Sequence, residues 1–269
     1  PRSAWFPSPA QRGRSQVTVV LPTPLIAAVA LGAILGGFVQ GLSGFAFGLV
    51  AVGVWAWSVD PTIVGPLVVF GSLVGQVLSF ATVRRGLDAR RLSPFIIGGL
   101  FGIPLGVALL RVIDPLGFKL AVGIILLVWC PAMLLLRELP RVKGGGRWAD
   151  GIAGWLGGVM GGLGGLTGPA PTLWCALRGW GRDEQRAVFQ NYNLAMQAVT
   201  IAVYVATGTI TWETAWLFAV VAPAMLVPTL IGARLYRRFS DAGFQRLVLL
   251  LLTASGALLT VSALLKLTG

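Results

Sequence analysis

In this chain of 269 residues, 56% are hydrophobic and only 11% charged, and the mean hydropathy is +0.83, a composition that excludes an ordinary soluble domain. The net charge of +12 comes from Arg and Lys gathered in short loops between apolar runs. There they orient membrane helices instead of forming a nucleic-acid-binding face. The expected surroundings are therefore a lipid bilayer, with no nucleic-acid partner.

Residues 1–16, PRSAWFPSPAQRGRSQ, read as a polar, basic tail ahead of an uncleaved first membrane segment. Apolar stretches then cover 17–38, 43–58, 61–82, 93–112 and 116–136. A polar cytoplasmic linker, RELPRVKGGGRWAD, occupies 137–150, and further apolar stretches cover 151–164, 167–177, 187–207, 213–234 and 243–265. A crossing helix takes about 20 apolar residues. The expected fold class is thus an all-α polytopic membrane protein of two repeats, 17–136 and 151–269, with five segments in each.

The duplication is visible residue by residue. GGFVQGLSGFAFG at 36–48 recurs 121 positions later as GGVMGGLGGLTGP at 157–169, and Gln76 falls on Gln197 in the same register. At an offset of 126, Gly106, Arg111, Gly117 and Phe118 meet Gly232, Arg237, Gly243 and Phe244.

The strongest basic loops are RRGLDARR at 84–91, the linker, the region of Arg178, Arg182 and Arg186, and Arg234, Arg237 and Arg238. With all four on the cytoplasmic side, the third to fifth segments of one half run opposite to those of the other. The halves are then inverted repeats with an outside N-terminus. Residues 151–177 are too few for two full crossings with a loop, so a broken or re-entrant hairpin is expected at the start of each repeat.

Two readings compete for the glycines in these hairpins. Gly37-x-x-x-Gly41 and Gly158-x-x-x-Gly162 fit close helix packing. A helix break fits too, because Pro169 and Pro171 follow Thr167-Gly168, and interrupted segments at matching places in two halves point to a transporter's midplane site. A break exposes peptide N–H groups and a helix N-terminus, both of which attract anions.

The polar residues within the spans are few: Gln40, Ser43, Ser72, Gln76, Ser79, Thr167, Gln190, Asn191, Tyr192, Asn193, Gln197 and Thr200. Each alone reads as interhelical glue, but their symmetry favours a polar cavity. The candidate substrate-binding residues are Gln40, Ser43, Gly44, Gln76, Thr167, Gly168, Asn191, Asn193 and Gln197. No Asp, Glu, Lys or Arg sits in mid-span, so a ligand's charge has to be met by dipoles and amides. Coupling is then either absent, or left to a proton carried by the substrate, or left to loop residues such as Asp60, Asp183 or Glu213. Arg178 and Arg182 serve as topology signals, with anion steering as the second reading.

The absence of His removes the commonest metal ligand, and Cys130 and Cys175 sit inside apolar runs as small hydrophobes. No cofactor or metal is expected, and an embedded enzyme lacks an acid–base pair.

At the duplicated GGxxxGLxG pattern, the basic loop after the third segment and the matching segment order, residues 25–265 resemble the TauE/SafE (TSUP) family. The resemblance implies a bacterial inner-membrane, multi-pass transporter for sulfite, organosulfonates and related sulfur anions. Phe45, Ala46 and Phe47 stand where the second copy has Leu166, Thr167 and Gly168; they either shape a pocket for an organic group or simply pack. The expected function is export of sulfite or an organosulfonate by alternating access, with proton coupling and a homodimer as open expectations. The competing readings are an anion channel and a transport-inert scaffold.

Overall fold

The computed structural model describes residues 23–43, 46–82, 88–135, 141–142, 144–236 and 241–268. Among these residues the chain is helical and free of strands. In order the helices are α1 (Thr23–Ser43), α2 (Phe47–Trp55), α3 (Pro61–Thr82), α4 (Ala89–Val112), α5 (Pro115–Leu134), α6 (Gly146–Gly164), α7 (Pro169–Leu177), α8 (Arg182–Ala206), α9 (Trp212–Tyr236) and α10 (Asp241–Thr268). Six of them, α1, α3, α4, α5, α9 and α10, are long and apolar enough to cross a bilayer, which makes this a multi-pass membrane protein. The tail at 1–16 and Gly44 lie outside the described residues.

Local chemistry sets the helix ends. Asp88 accepts from the N–H groups of Arg90 and Arg91 at the start of α4, and Asp114 accepts from the Gly117 N–H ahead of α5, whose first residue is Pro115. Both are N-caps that satisfy otherwise unpaired donors. α6 begins at Gly146, inside the stretch that reads as linker, because Gly145 takes a left-handed φ of 91° and turns the chain into the helix. α2 and α7 have nine residues each, about 14 Å of helix, under half of a hydrocarbon core of about 30 Å. Each half therefore opens with a long helix, a break and a half-length helix.

The long helices pair across the two halves: α1 lies along α9, α6 along α4, and α5 along α10. Glycines make the first two pairings possible. Gly98, Gly102 and Gly106 of α4 face the carbonyls of Gly151, Trp155 and Val159, while Gly154, Gly158 and Gly162 of α6 face those of Phe95, Gly99 and Ile103. A Cβ at any of these six positions would overlap the opposing backbone. On α1, Gly37 and Gly41 meet the carbonyls of Met225 and Thr229, and Gly232 of α9 meets that of Phe38. The packing reading of the GxxxG pairs is the one realised at these positions.

Charged side chains mark the two ends of the bundle. Arg91 and Arg178 both lie over the Trp180 ring, at 5.3 and 5.6 Å. Arg91 pairs with Glu184 at 2.9 Å, Arg178 donates to the Gly144 carbonyl and Arg147 donates to Ser93 Oγ. The start of α4, the start of α6 and the α7–α8 connection thus meet at one end. At the other end Arg111, near the end of α4, donates to the Thr207 carbonyl just beyond α8, and Lys119 sits over the Trp57 ring.

Candidate substrate site

The two breaks are built differently, although both follow a glycine-rich helix. In the first, Gln40 Oε1 accepts from the Phe47 N–H at 3.0 Å and Ser43 Oγ accepts from the Ala46 N–H at 3.1 Å. Two of the four N–H groups that open α2 are therefore capped by the chain itself, leaving those of Gly48 and Leu49. In the second, α6 ends in a left-handed glycine cap: the Gly165 N–H bonds the Gly161 carbonyl, the Leu166 N–H bonds that of Met160, and Gly165 has φ 73°. Only glycine fits there, since a Cβ would come within 2.6 Å of Val68 Cγ1 and 2.9 Å of the Val69 nitrogen.

α7 starts at once with Pro169 behind Gly168. Pro169 and Pro171 have no N–H, so of the first four positions only Gly168 and Ala170 bring donors. Trp129 of α5 holds this start by donating to the Pro169 carbonyl at 2.8 Å. Gly157 and Gly161, on the face of α6 turned away from α4, let the break lie close: a Cβ at Gly157 would be 2.7 Å from the Thr167 carbonyl, and one at Gly161 would crowd the Thr167 methyl. Gly161 is the repeat mate of Gln40. Where the first half has an amide that caps, the second has empty space that receives Thr167.

The two short helices open onto one cavity. Its lining comprises Gly48 and Leu49 from α2, Ser72 from α3, Gly165, Leu166, Thr167, Gly168 and Pro169 from the second break, and Asn193 and Gln197 from α8. It leaves about 10 Å³ for the centre of a water-sized sphere, room for one water molecule. Thr167 donates to Asn193 Oδ1 at 2.9 Å and accepts from Gln197 Nε2 at 3.4 Å. Asn193 and Thr167 are 1% exposed and Gln197 4%, and no group among the described residues donates to Gln197 Oε1. Among the described residues, no charged one lines the cavity.

Of the residues expected from sequence, the cavity brings together Thr167, Gly168, Asn193 and Gln197. Gln40 and Ser43 serve the first break as caps. Gln76 is buried in α3 outside the lining, and Asn191 turns back to donate to the Ala187 carbonyl of its own helix at 2.7 Å. Asp60 accepts from the N–H and hydroxyl of Thr62, while the side chains of Asp183 and Glu213 lie outside the described ones. Phe47 is fully buried against Trp55 and Gly71, which is the packing reading of that aromatic.

Three features escaped the sequence reading. Gly48 and Leu49 contribute backbone, which has no side-chain signature. Ser72, 121 positions before Asn193, was among the few polar residues of the spans but not among the candidate substrate-binding residues. Asp150 reads as linker, yet it is 4% exposed within α6, where Trp174 Nε1 donates to it at 2.7 Å and Arg178 Nε lies 3.9 Å away. A Trp and an Arg spaced by four on a following helix are the signal for such a partner. Tyr192 and Tyr204 pin α8 to α6 by donating to the carbonyls of Gly154 and Gly162, each at 2.6 Å.

No curated protein and no solved structure matches the chain. Residues 28–259 match the family described as Sulfite exporter TauE/SafE, a span that takes in both breaks, the glycine pairings and all of the cavity's lining. The chain belongs to the TauE/SafE family of sulfite-exporter-type membrane transporters.

Proposed function

We propose that this protein is a secondary transporter that exports a small sulfur oxyanion, sulfite or an organosulfonate, across the bacterial cytoplasmic membrane. The observation that carries the reading is the uncharged cavity where two half-length helices, one from each half, present their N-termini over buried amides. Helix N-termini attract anions through unpaired N–H groups and a partial charge of about +0.5 each. Thr167, Asn193 and Gln197 supply the side-chain part of the site, with Gly168 giving close backbone approach.

The cavity is smaller than a sulfite ion, so binding requires α2 and α7 to part. Alternating access follows if the halves are inverted repeats. Support comes from the end of the bundle where three basic loops meet: α4 and α8 start there, whereas α9 starts at the opposite end. The cytoplasmic side is the basic one. Domain limits of 17–136 and 151–269, joined by a cytoplasmic linker, suit this plan, with α6 reaching back to Gly146.

The test is flux in proteoliposomes together with thermal unfolding of purified protein. Sulfite or a sulfonate is expected to raise the unfolding temperature and to saturate transport, while a cation of similar size does neither. Absence of both flux and an anion-dependent shift would leave a structural membrane protein in its place.

A further inference from the structure

Resting on the reading of this cavity as the substrate site, we propose that the transported species is a singly charged oxyanion that keeps one O–H. Its hydroxyl donates to Gln197 Oε1, and a proton crosses as part of the ligand. For sulfite, that species is hydrogensulfite in its O–H form.

Charge and hydrogen bonding both lead there. Two helix N-termini at about half a charge each match one negative charge, and among the described residues no Lys or Arg lines the cavity to balance a second. The orientation of Gln197 follows from its neighbours. The Thr167 proton is committed to Asn193 Oδ1, so the Thr167 oxygen accepts, and Gln197 turns Nε2 toward it. Oε1 is then left buried with no donor among the described residues. A ligand oxygen without a proton would set lone pair against lone pair, whereas an O–H satisfies the amide. An unsatisfied buried acceptor costs roughly tenfold to a hundredfold in affinity.

The described titratable groups on the elements packed around α8 lie away from the cavity. Tyr192 and Tyr204 bond carbonyls of α6, Asp150 is held by Trp174 and Arg178, and Arg91 pairs with Glu184. Arg111 reaches Thr207 and Arg147 reaches Ser93, while Arg90 is exposed at the start of α4 and Cys175 is buried in α7. None of them lines the cavity. The pH dependence of binding is therefore that of the ligand.

The experiment is equilibrium binding to purified full-length protein at pH values on either side of the sulfite–hydrogensulfite ionisation. Methanesulfonate, with the same charge and no O–H, is the comparison. Affinity for total sulfite is expected to fall about tenfold per pH unit above that ionisation. Methanesulfonate should bind independently of pH and at least about tenfold more weakly than hydrogensulfite. Gln197→Leu, checked for folding by its unfolding temperature, should bring hydrogensulfite down to the level of methanesulfonate. Sulfite affinity that is flat or rises with pH, or methanesulfonate bound as tightly as hydrogensulfite in the unaltered protein, overturns the inference alone. Binding of neither anion at any pH overturns the cavity as substrate site as well.

Discussion

Side chains that look alike in the sequence have different work in the fold. Thr167, Asn193 and Gln197 form one hydrogen-bonded chain facing the cavity, whereas Asn191, two residues from Asn193, is spent on its own helix. Thr167→Ala removes the hydroxyl that orients both Asn193 and Gln197 and is expected to weaken anion binding roughly tenfold to a hundredfold by leaving those amides unsatisfied. Asn191→Ala should stay within about twofold, since its bond is local; titration of the purified variants checks both. Gln40→Leu leaves the Phe47 N–H buried without its acceptor and should lower stability by about 1–3 kcal/mol, read in thermal or chemical unfolding. Polar residues inside apolar spans were legible because few occur there. Which of them share a cavity depends on helix rotation and on neighbours from the other half.

At the scale of elements, the glycines divide by face. Gly154, Gly158 and Gly162 recur every four residues and meet α4, while Gly157 and Gly161 lie beside the second break. Spacing alone leaves packing and breakage both open for this stretch. The structure assigns packing to one face and accommodation of the break to the other, with the break itself at Gly165–Gly168. Gly158→Ala and Gly162→Ala should each lower the unfolding temperature markedly, because the added methyl meets backbone that has no room to shift. Gly151→Ala is the control: its nearest neighbour would be the Pro94 carbonyl at 3.7 Å, an ordinary contact. There the better helix propensity of Ala, up to about 1 kcal/mol, should leave stability equal or higher.

For the whole molecule, charge separates the ends of the bundle. Arg91, Arg147 and Arg178 gather where α4 and α6 begin, while Arg111 and Lys119 lie at the opposite end. A Cys at position 144 or 181, where glycine now leaves open space, should react with an impermeant maleimide only in inside-out vesicles. A Cys replacing the exposed Trp212 should react only in right-side-out ones. Cys130 and Cys175 are fully buried and should stay silent in both. Labelling of positions 144 and 212 from the same side would remove the proposed topology.

By itself the sequence determined that the chain lives in a bilayer and carries several runs long and apolar enough to cross it. Membrane thickness is fixed, and the length and polarity of a run decide whether it can span. Tertiary structure alone decided which donors and acceptors stay open. Whether an N–H or amide is satisfied depends on what a distant segment places against it: Gln40 closes the first break from 7 residues away, while Asn193 reaches Thr167 across 26. The proposed site takes its side chains from the second break for that reason: Gly161 leaves room for Thr167, whereas Gln40, 121 positions earlier, caps the Phe47 N–H.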